Sequence, residues 1–154
     1  MPTGDVNYYN NLARNSSNVG EYDEAIGYFT KAIELAPNNA EYRFNRGWNC
    51  MKVQRYEMAI EDFSFVISSN SSDDEAYHYR ATAYQHSGAY RNALNDMNEA
   101  IRINPNKADY YLKRGVVHCG LEDKNNAIKD LEQGLQLDPS NEMARSMLSQ
   151  IKQL

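Results

Sequence analysis

The sequence lacks an excess of positive charge. Sixteen lysines and arginines stand against 21 aspartates and glutamates, leaving a net charge of −5 and a pI near 5.2. Attraction to a phosphate backbone therefore does not organise this chain, and no nucleic-acid partner is expected. No apolar run reaches the roughly 18 residues that a spanning helix needs, so no membrane partner is expected either. The opening stretch MPTGDVNYYN has neither a basic cluster nor an apolar segment behind it, and no secretion signal is expected. Cysteine is scarce. Cys50 and Cys119 stand alone, far apart and in no metal-binding spacing, and read as free thiols of a reducing, cytoplasmic compartment. On that reading the Asn-Ser-Ser sequons at Asn15 and Asn70 are ordinary polar turn and helix residues.

Catalytic signatures are missing too. There is no glycine-rich phosphate loop, no HExxH and no GxSxG. Of the three histidines, His78 and His86 lie eight residues apart on one helical stretch, roughly 12 Å at 1.5 Å per residue, which is too far to share a metal ion. His118 falls at a packing position and reads as a substituted core aromatic. Nothing in the pattern of acids suggests a paired, desolvated acid–base couple. The chain reads as a non-enzyme with no cofactor and no metal.

What is present is a period of 34. EYDEAIGYFTKAIELAPNN from Glu21, RYEMAIEDFSFVISSNSSD from Arg55, AYRNALNDMNEAIRINPNK from Ala89 and EDKNNAIKDLEQGLQLDPSN from Glu122 align, and place Ala25, Ala59, Ala93 and Ala127 at that spacing. Upstream of each alanine is a second helical stretch with a small residue, Ala13, Gly47, Ala81 and Gly115, again 34 apart. Each unit reads as helix A, turn, helix B, turn. Apolar residues such as Ala25, Ile26, Phe29, Ala32 and Ile33 follow the i, i+3, i+4, i+7 pattern of a half-buried helix. Pro37, Pro105 and Pro139 close three of the B helices.

These motifs resemble the tetratricopeptide repeat (TPR) family. Counting from Val6, Ala40, Asp74 and Ala108, the small residue of repeat position 8 and the alanine of position 20 fall on the residues above. The large apolar position 24 holds Phe29, Phe63, Met97 and Leu131, and position 27 holds Ala32, Val66, Ala100 and Gly134. Small side chains at these positions permit close helix–helix approach. The resemblance implies an all-α, right-handed superhelical solenoid of antiparallel helix pairs, about nine helices in one domain spanning residues 1–154. Repeats are expected at about 6–39, 40–73, 74–107 and 108–141. A capping helix over about 141–154 carries Met143, Met147, Leu148, Ile151 and Leu154 on its apolar stripe, with Arg145, Gln150 and Lys152 outward. Two departures carry expectations: Ser71 in place of proline predicts a loose end to the second B helix, and Gly120, two positions early, predicts a shortened last A helix.

Three repeats have arginine at position 7, Arg46, Arg80 and Arg114, and the same three have aspartate at position 23, Asp62, Asp96 and Asp130. Repeat 1 has Leu12 and Tyr28 instead. The covariation within one chain predicts ion pairs, inside a repeat or between neighbours, in preference to an arginine row for an anionic ligand.

The family implies that A helices line a concave groove. Positions 4, 7, 8 and 11 should then pack, and positions 2, 5, 6, 9, 12 and 13 should face the groove. The expected peptide-binding centre is Phe44, Asn45, Trp48, His78 and Tyr79, with Asn11, Arg14, Lys52 and Lys113 as polar anchors. Acids recur at position 2, Glu41, Glu75 and Asp109, where the helix macrodipole favours them. TPR co-chaperones hold acidic tails in a carboxylate clamp. At the clamp positions this chain offers Asn10, Arg14, Asn45, Glu75 and Tyr79, of which only Asn45 matches, so that use is disfavoured. The resulting expectation is a protein–protein interaction scaffold or adaptor that holds an extended or helical segment of a partner. The alternative is a self-assembly module, forming a homo-oligomer through the last helix, or a piece of a longer array.

Overall fold

The computed structural model describes residues 4–153; residues 1–3 of the opening stretch and Leu154 of the terminal stripe lie outside them. The described residues form nine α-helices and no strand. The A helices are α1 (Val6–Asn18), α3 (Ala40–Lys52), α5 (Asp74–His86) and α7 (Ala108–Gly120). The B helices are α2 (Tyr22–Leu35), α4 (Tyr56–Ser69), α6 (Tyr90–Ile103) and α8 (Lys124–Leu137), and α9 (Glu142–Gln153) follows. Backbone contacts divide the chain into two compact units, Met1–Ser71 with α1 to α4 and Ser72–Leu154 with α5 to α9. Within each unit an A helix packs antiparallel on the B helix that follows it.

Start signals recur with the period. Asp5, Asn39 and Asp73 cap α1, α3 and α5 by accepting the backbone N–H three residues on, at 2.7, 3.1 and 2.9 Å. The turn from A to B helix requires a left-handed residue. Gly20 and Gly88 supply it at φ 85° and 79°, but Gln54 and Glu122 adopt it at φ 59°. A side chain there costs about 1 kcal/mol relative to glycine. Gln54→Gly and Glu122→Gly are therefore expected to raise the denaturation midpoint, each by up to about 1 kcal/mol, while Gly88→Ala lowers it by a similar amount.

Each unit has its own core. In the first, Ala13, Ala25, Phe29, Ala32 and Ile33 enclose Tyr42; in the second, Ala81, Ala93, Met97, Ala100 and Ile101 gather with Tyr110 and Val117. The small residues sit where approach is closest. A Cβ on Gly47 would stand 3.0 Å from the Phe63 ring, and one on Gly115 3.2 Å from Leu131. Gly134 faces Leu112 so closely that a Cβ would overlap it at 2.3 Å.

Each arginine–aspartate pair closes inside its repeat. The Arg46 Nε and Nη2 donate to the two carboxylate oxygens of Asp62 at 2.8 and 2.7 Å, Arg80 does the same to Asp96 at 2.8 and 2.7 Å, and Arg114 to Asp130 at 2.7 and 2.7 Å. Bidentate geometry of this kind occupies the guanidinium fork, leaving no arginine row for an anionic ligand. Each carboxylate in turn holds its guanidinium above the ordinary range through these hydrogen bonds.

Several expectations are corrected. The second B helix does not end loosely. It has 14 residues like the other three, and its cap Asn70 N–H donates to the Val66 carbonyl as Ala36 does to Ala32. Ser68 and Ser69 both donate their hydroxyls to the Phe65 carbonyl, adding side-chain hydrogen bonds to the last turn. The last A helix is not shortened. Gly120 is its final residue, and the Tyr90 ring lies where a Cβ would come within 2.3 Å. Packing also extends beyond positions 4, 7, 8 and 11. Tyr42 and Asn49 on α3, and Tyr110 and Val117 on α7, are buried at positions 3 and 10 because each of these helices also meets the B helix before it. On α9, Ala144 is buried, whereas Met143, expected on the apolar stripe, is 75% exposed.

Candidate functional site

A cleft of the first unit lies between α1 and α3 and has a volume of about 220 Å3. Arg14, Ser17 and Asn18 form one wall; Glu41, Asn45, Trp48 and Asn49 form the other, over Phe29. The 34-residue register places these side chains together, since positions 9, 12 and 13 of one A helix come to face positions 2, 6 and 9 of the next. Arg14 and Glu41 stand on opposite rims with 3.9 Å between Nη1 and Oε1, both largely exposed. Trp48 meets Tyr22 edge-on at 6.1 Å and carries the Lys52 ammonium over its ring at 4.5 Å.

Asn45 and Trp48 thus join Arg14 in the cleft, and Lys52 reaches it through the indole. Phe44 is half-buried and turned toward its own repeat, edge-on to Phe63 at 5.5 Å. Asn11 is exposed on α1 outside the cleft lining. Asn49 was not legible as a site residue. It lies at position 10, is 1% exposed, and donates from Nδ2 to the Asn45 carbonyl at 2.8 Å. Its column holds another amide, Asn15, in the first repeat and apolar Ala83 and Val117 farther along, so the register alone did not single it out.

In the second unit His78 stacks on Tyr110 at 5.1 Å and meets Tyr79 edge-on at 5.1 Å. Burial holds its imidazole below the usual range, with the Asp109 carboxylate, 3.7 Å from Nε2, pulling the other way. His78 is therefore a neutral, mostly covered ring, while Tyr79 stays half-exposed. Lys113 lines a different cleft, of about 270 Å3, with Leu112 and Val116 of α7 and Met143, Ala144 and Met147 of α9. The acids at position 2 each lie near a base: Glu41 beside Arg14, Glu75 3.3 Å from Lys107, and Asp109 beside His78.

Among the described residues no three His, Cys, Asp or Glu side chains group to hold a metal ion, and no helix is long and apolar enough to cross a membrane. Burial pushes the Cys50 thiol up to about 12, so it is a packed, protonated group at neutral pH.

Helix pairs on a 34-residue register with small residues at the crossings define a repeat protein of the TPR class. Models described as tetratricopeptide repeat match residues 6–39, 74–107 and 108–141, and the chain belongs to this family. Residues 40–73 lie between the matched segments in the same register. No curated protein sequence matches the chain significantly. Among solved structures, a crystal structure of MamA protein superposes with a TM-score of 0.90 at 23% identity, covering 96% of this chain and 81% of that one. The first TPR of Spaghetti (RPAP3) bound to the HSP90 peptide SRMEEVD gives 0.72 at 27% identity, over 74% of this chain and 90% of that one. The second TPR domain of human RPAP3 in complex with the HSP70 peptide SGPTIEEVD gives 0.69 at 31% identity, over 71% and 92%.

Proposed function

We propose that this protein is a non-enzymatic interaction module, working in the cytoplasm as one domain and holding a short segment of a partner protein against its A helices. The observation that carries the reading is the α1–α3 cleft. A tryptophan, three amides and an opposed charge pair converge there on a volume that accepts a side chain and its flanking backbone. Such a mixture supplies apolar area together with groups that both donate and accept, as an extended peptide requires. Phe44 and Asn11 are further proposed contacts on the first unit, and His78, Tyr79 and Lys113 are proposed contacts on the second. The RPAP3 domains, which hold acidic heat-shock peptides, lend support to a peptide ligand in general. An acidic tail is disfavoured here, because Glu41 lines the cleft and Glu75 stands where a clamp needs a base.

A pull-down with wild type and with the Trp48→Ala, Tyr79→Ala double variant tests this. The double variant should lose the captured partner while keeping its helical circular dichroism. Retention of the partner by the double variant would refute the reading.

A second reading, self-assembly through α9, is favoured by Met143. It stands 75% exposed at the α7–α9 cleft, where a second chain would cover it. Light scattering across concentration separates the two, with Met143→Lys abolishing any concentration-dependent mass if α9 mediates it.

A further inference from the structure

The geometry points to an arginine side chain of the partner as the group that occupies the α1–α3 cleft, an inference that rests on the peptide-binding reading and names its ligand chemistry. Asn49 carries the first part. Its Nδ2 donates to the Asn45 carbonyl at 2.8 Å, which fixes the amide's orientation, since a flip would set two acceptors against each other. The Oδ1 is then buried with no donor among the described residues. The corresponding position holds an exposed Asn15 in the first repeat and buried, apolar Ala83 and Val117 in the later ones, so where this position is buried the fold itself has no need of an amide. A buried acceptor left open destabilises the free protein and awaits a donor from outside it.

The rest of the cleft asks for the same kind of group. The only ion pair of Glu41 among the described residues is the loose 3.9 Å approach of Arg14, with both side chains more than half exposed. The Trp48 ring already attracts one cation, Lys52 at 4.5 Å. A carboxylate, an amide oxygen and an indole face together match a guanidinium, which is planar, carries five N–H donors and no acceptor, and stacks on aromatic rings. Lysine offers a point charge without the planar fork. An acidic side chain would meet Glu41 and leave the Asn49 oxygen open. On binding, Arg14 swings away from Glu41 and the incoming guanidinium takes its place.

Trp48 is the single tryptophan, so its emission reports on the cleft directly. The full chain is titrated with three capped tripeptides, acetyl-Gly-Arg-Gly-amide and its Lys and Glu analogues. The arginine peptide should give a saturable change with an affinity on the order of millimolar. The lysine peptide should bind about fivefold more weakly or worse, and the glutamate peptide should give no change. Glu41→Gln and Asn49→Val should each weaken arginine-peptide binding about tenfold with the helical signal intact, valine being the residue that repeat 4 already folds with. Silence with the arginine peptide, equal binding of the glutamate peptide, or full binding by Asn49→Val overturns the inference. If the Trp48→Ala, Tyr79→Ala variant loses its partner while the arginine peptide stays silent on wild type, this inference fails and the module reading stands. Partner retained by that variant removes the reading beneath it, whatever the tripeptide does.

Discussion

Arg80→Ala is expected to destabilise the protein by about 3 to 5 kcal/mol, among the largest losses available from a single side chain outside the apolar core. The guanidinium covers a carboxylate whose side chain is 7% exposed, with two hydrogen bonds at 2.8 and 2.7 Å. Truncating it strands Asp96, and a buried charge without its partner costs far more than the pair contributes net. Burial already pushes the Asp96 carboxyl up from the usual range against the pull of Arg80, so removing that pull leaves desolvation unopposed. The equivalent change at Arg46 should cost less, because the Arg43 Nη1 stands 3.5 Å from the same Asp62 carboxylate. Repeat 1 supplies the control. It has Leu12 and Tyr28 at these two positions and folds without the ion pair. Arg80→Leu combined with Asp96→Tyr should therefore recover most of what Arg80→Ala loses, as apolar replacement of a buried pair often does. Denaturant midpoints of the three variants measure this. A loss under about 0.5 kcal/mol for Arg80→Ala would place the pair among surface ion pairs that contribute little.

Phe63→Ala should cost a similar 3 to 5 kcal/mol, by a different mechanism. The ring is fully buried at position 24, lies against Gly47 of the facing helix and receives the edge of Phe44 at 5.5 Å. Its removal leaves a cavity, and the helix crossing cannot collapse to fill it because the backbones are already at close approach. The crossing predicts non-additivity. Gly47→Ala alone sets a methyl 3.0 Å from the ring, offsetting the gain in helix propensity. In the Phe63→Ala background the same methyl enters the vacated space and should recover about 1 kcal/mol. Equal effects of Gly47→Ala in both backgrounds would show that the two residues do not share the crossing.

The parts of this fold legible in the sequence are those that a period can carry. The 34-residue spacing of Ala25, Ala59, Ala93 and Ala127 gave the alternation of A and B helices, and the covariation of Arg46, Arg80 and Arg114 with three aspartates foretold contacts whose location inside each repeat needed coordinates. Local exceptions were misread where one residue was judged without its neighbours. Ser71 suggested a frayed helix, but the Asn70 N–H caps the Val66 carbonyl and Ser68 and Ser69 both bond the Phe65 carbonyl. Gly120 suggested an early stop, whereas it makes room for Tyr90. A one-sided helical wheel also underestimates burial in α3 and α7, since each is covered by two B helices; Asn49 was missed for that reason. Of the cleft, Arg14, Asn45 and Trp48 followed from register alone. The covering of His78 by Tyr110 did not, because the two lie 32 positions apart and only the folded chain stacks them.

The α1–α3 cleft is proposed as the place where a partner binds. Calorimetric titration of the captured partner segment into wild type and Trp48→Ala, with circular dichroism of both, tests it most directly. Trp48→Ala should weaken binding by about 2 kcal/mol or more, roughly thirtyfold, at unchanged helical signal. Unchanged affinity, or a variant that unfolds because the indole is structural, would contradict the account.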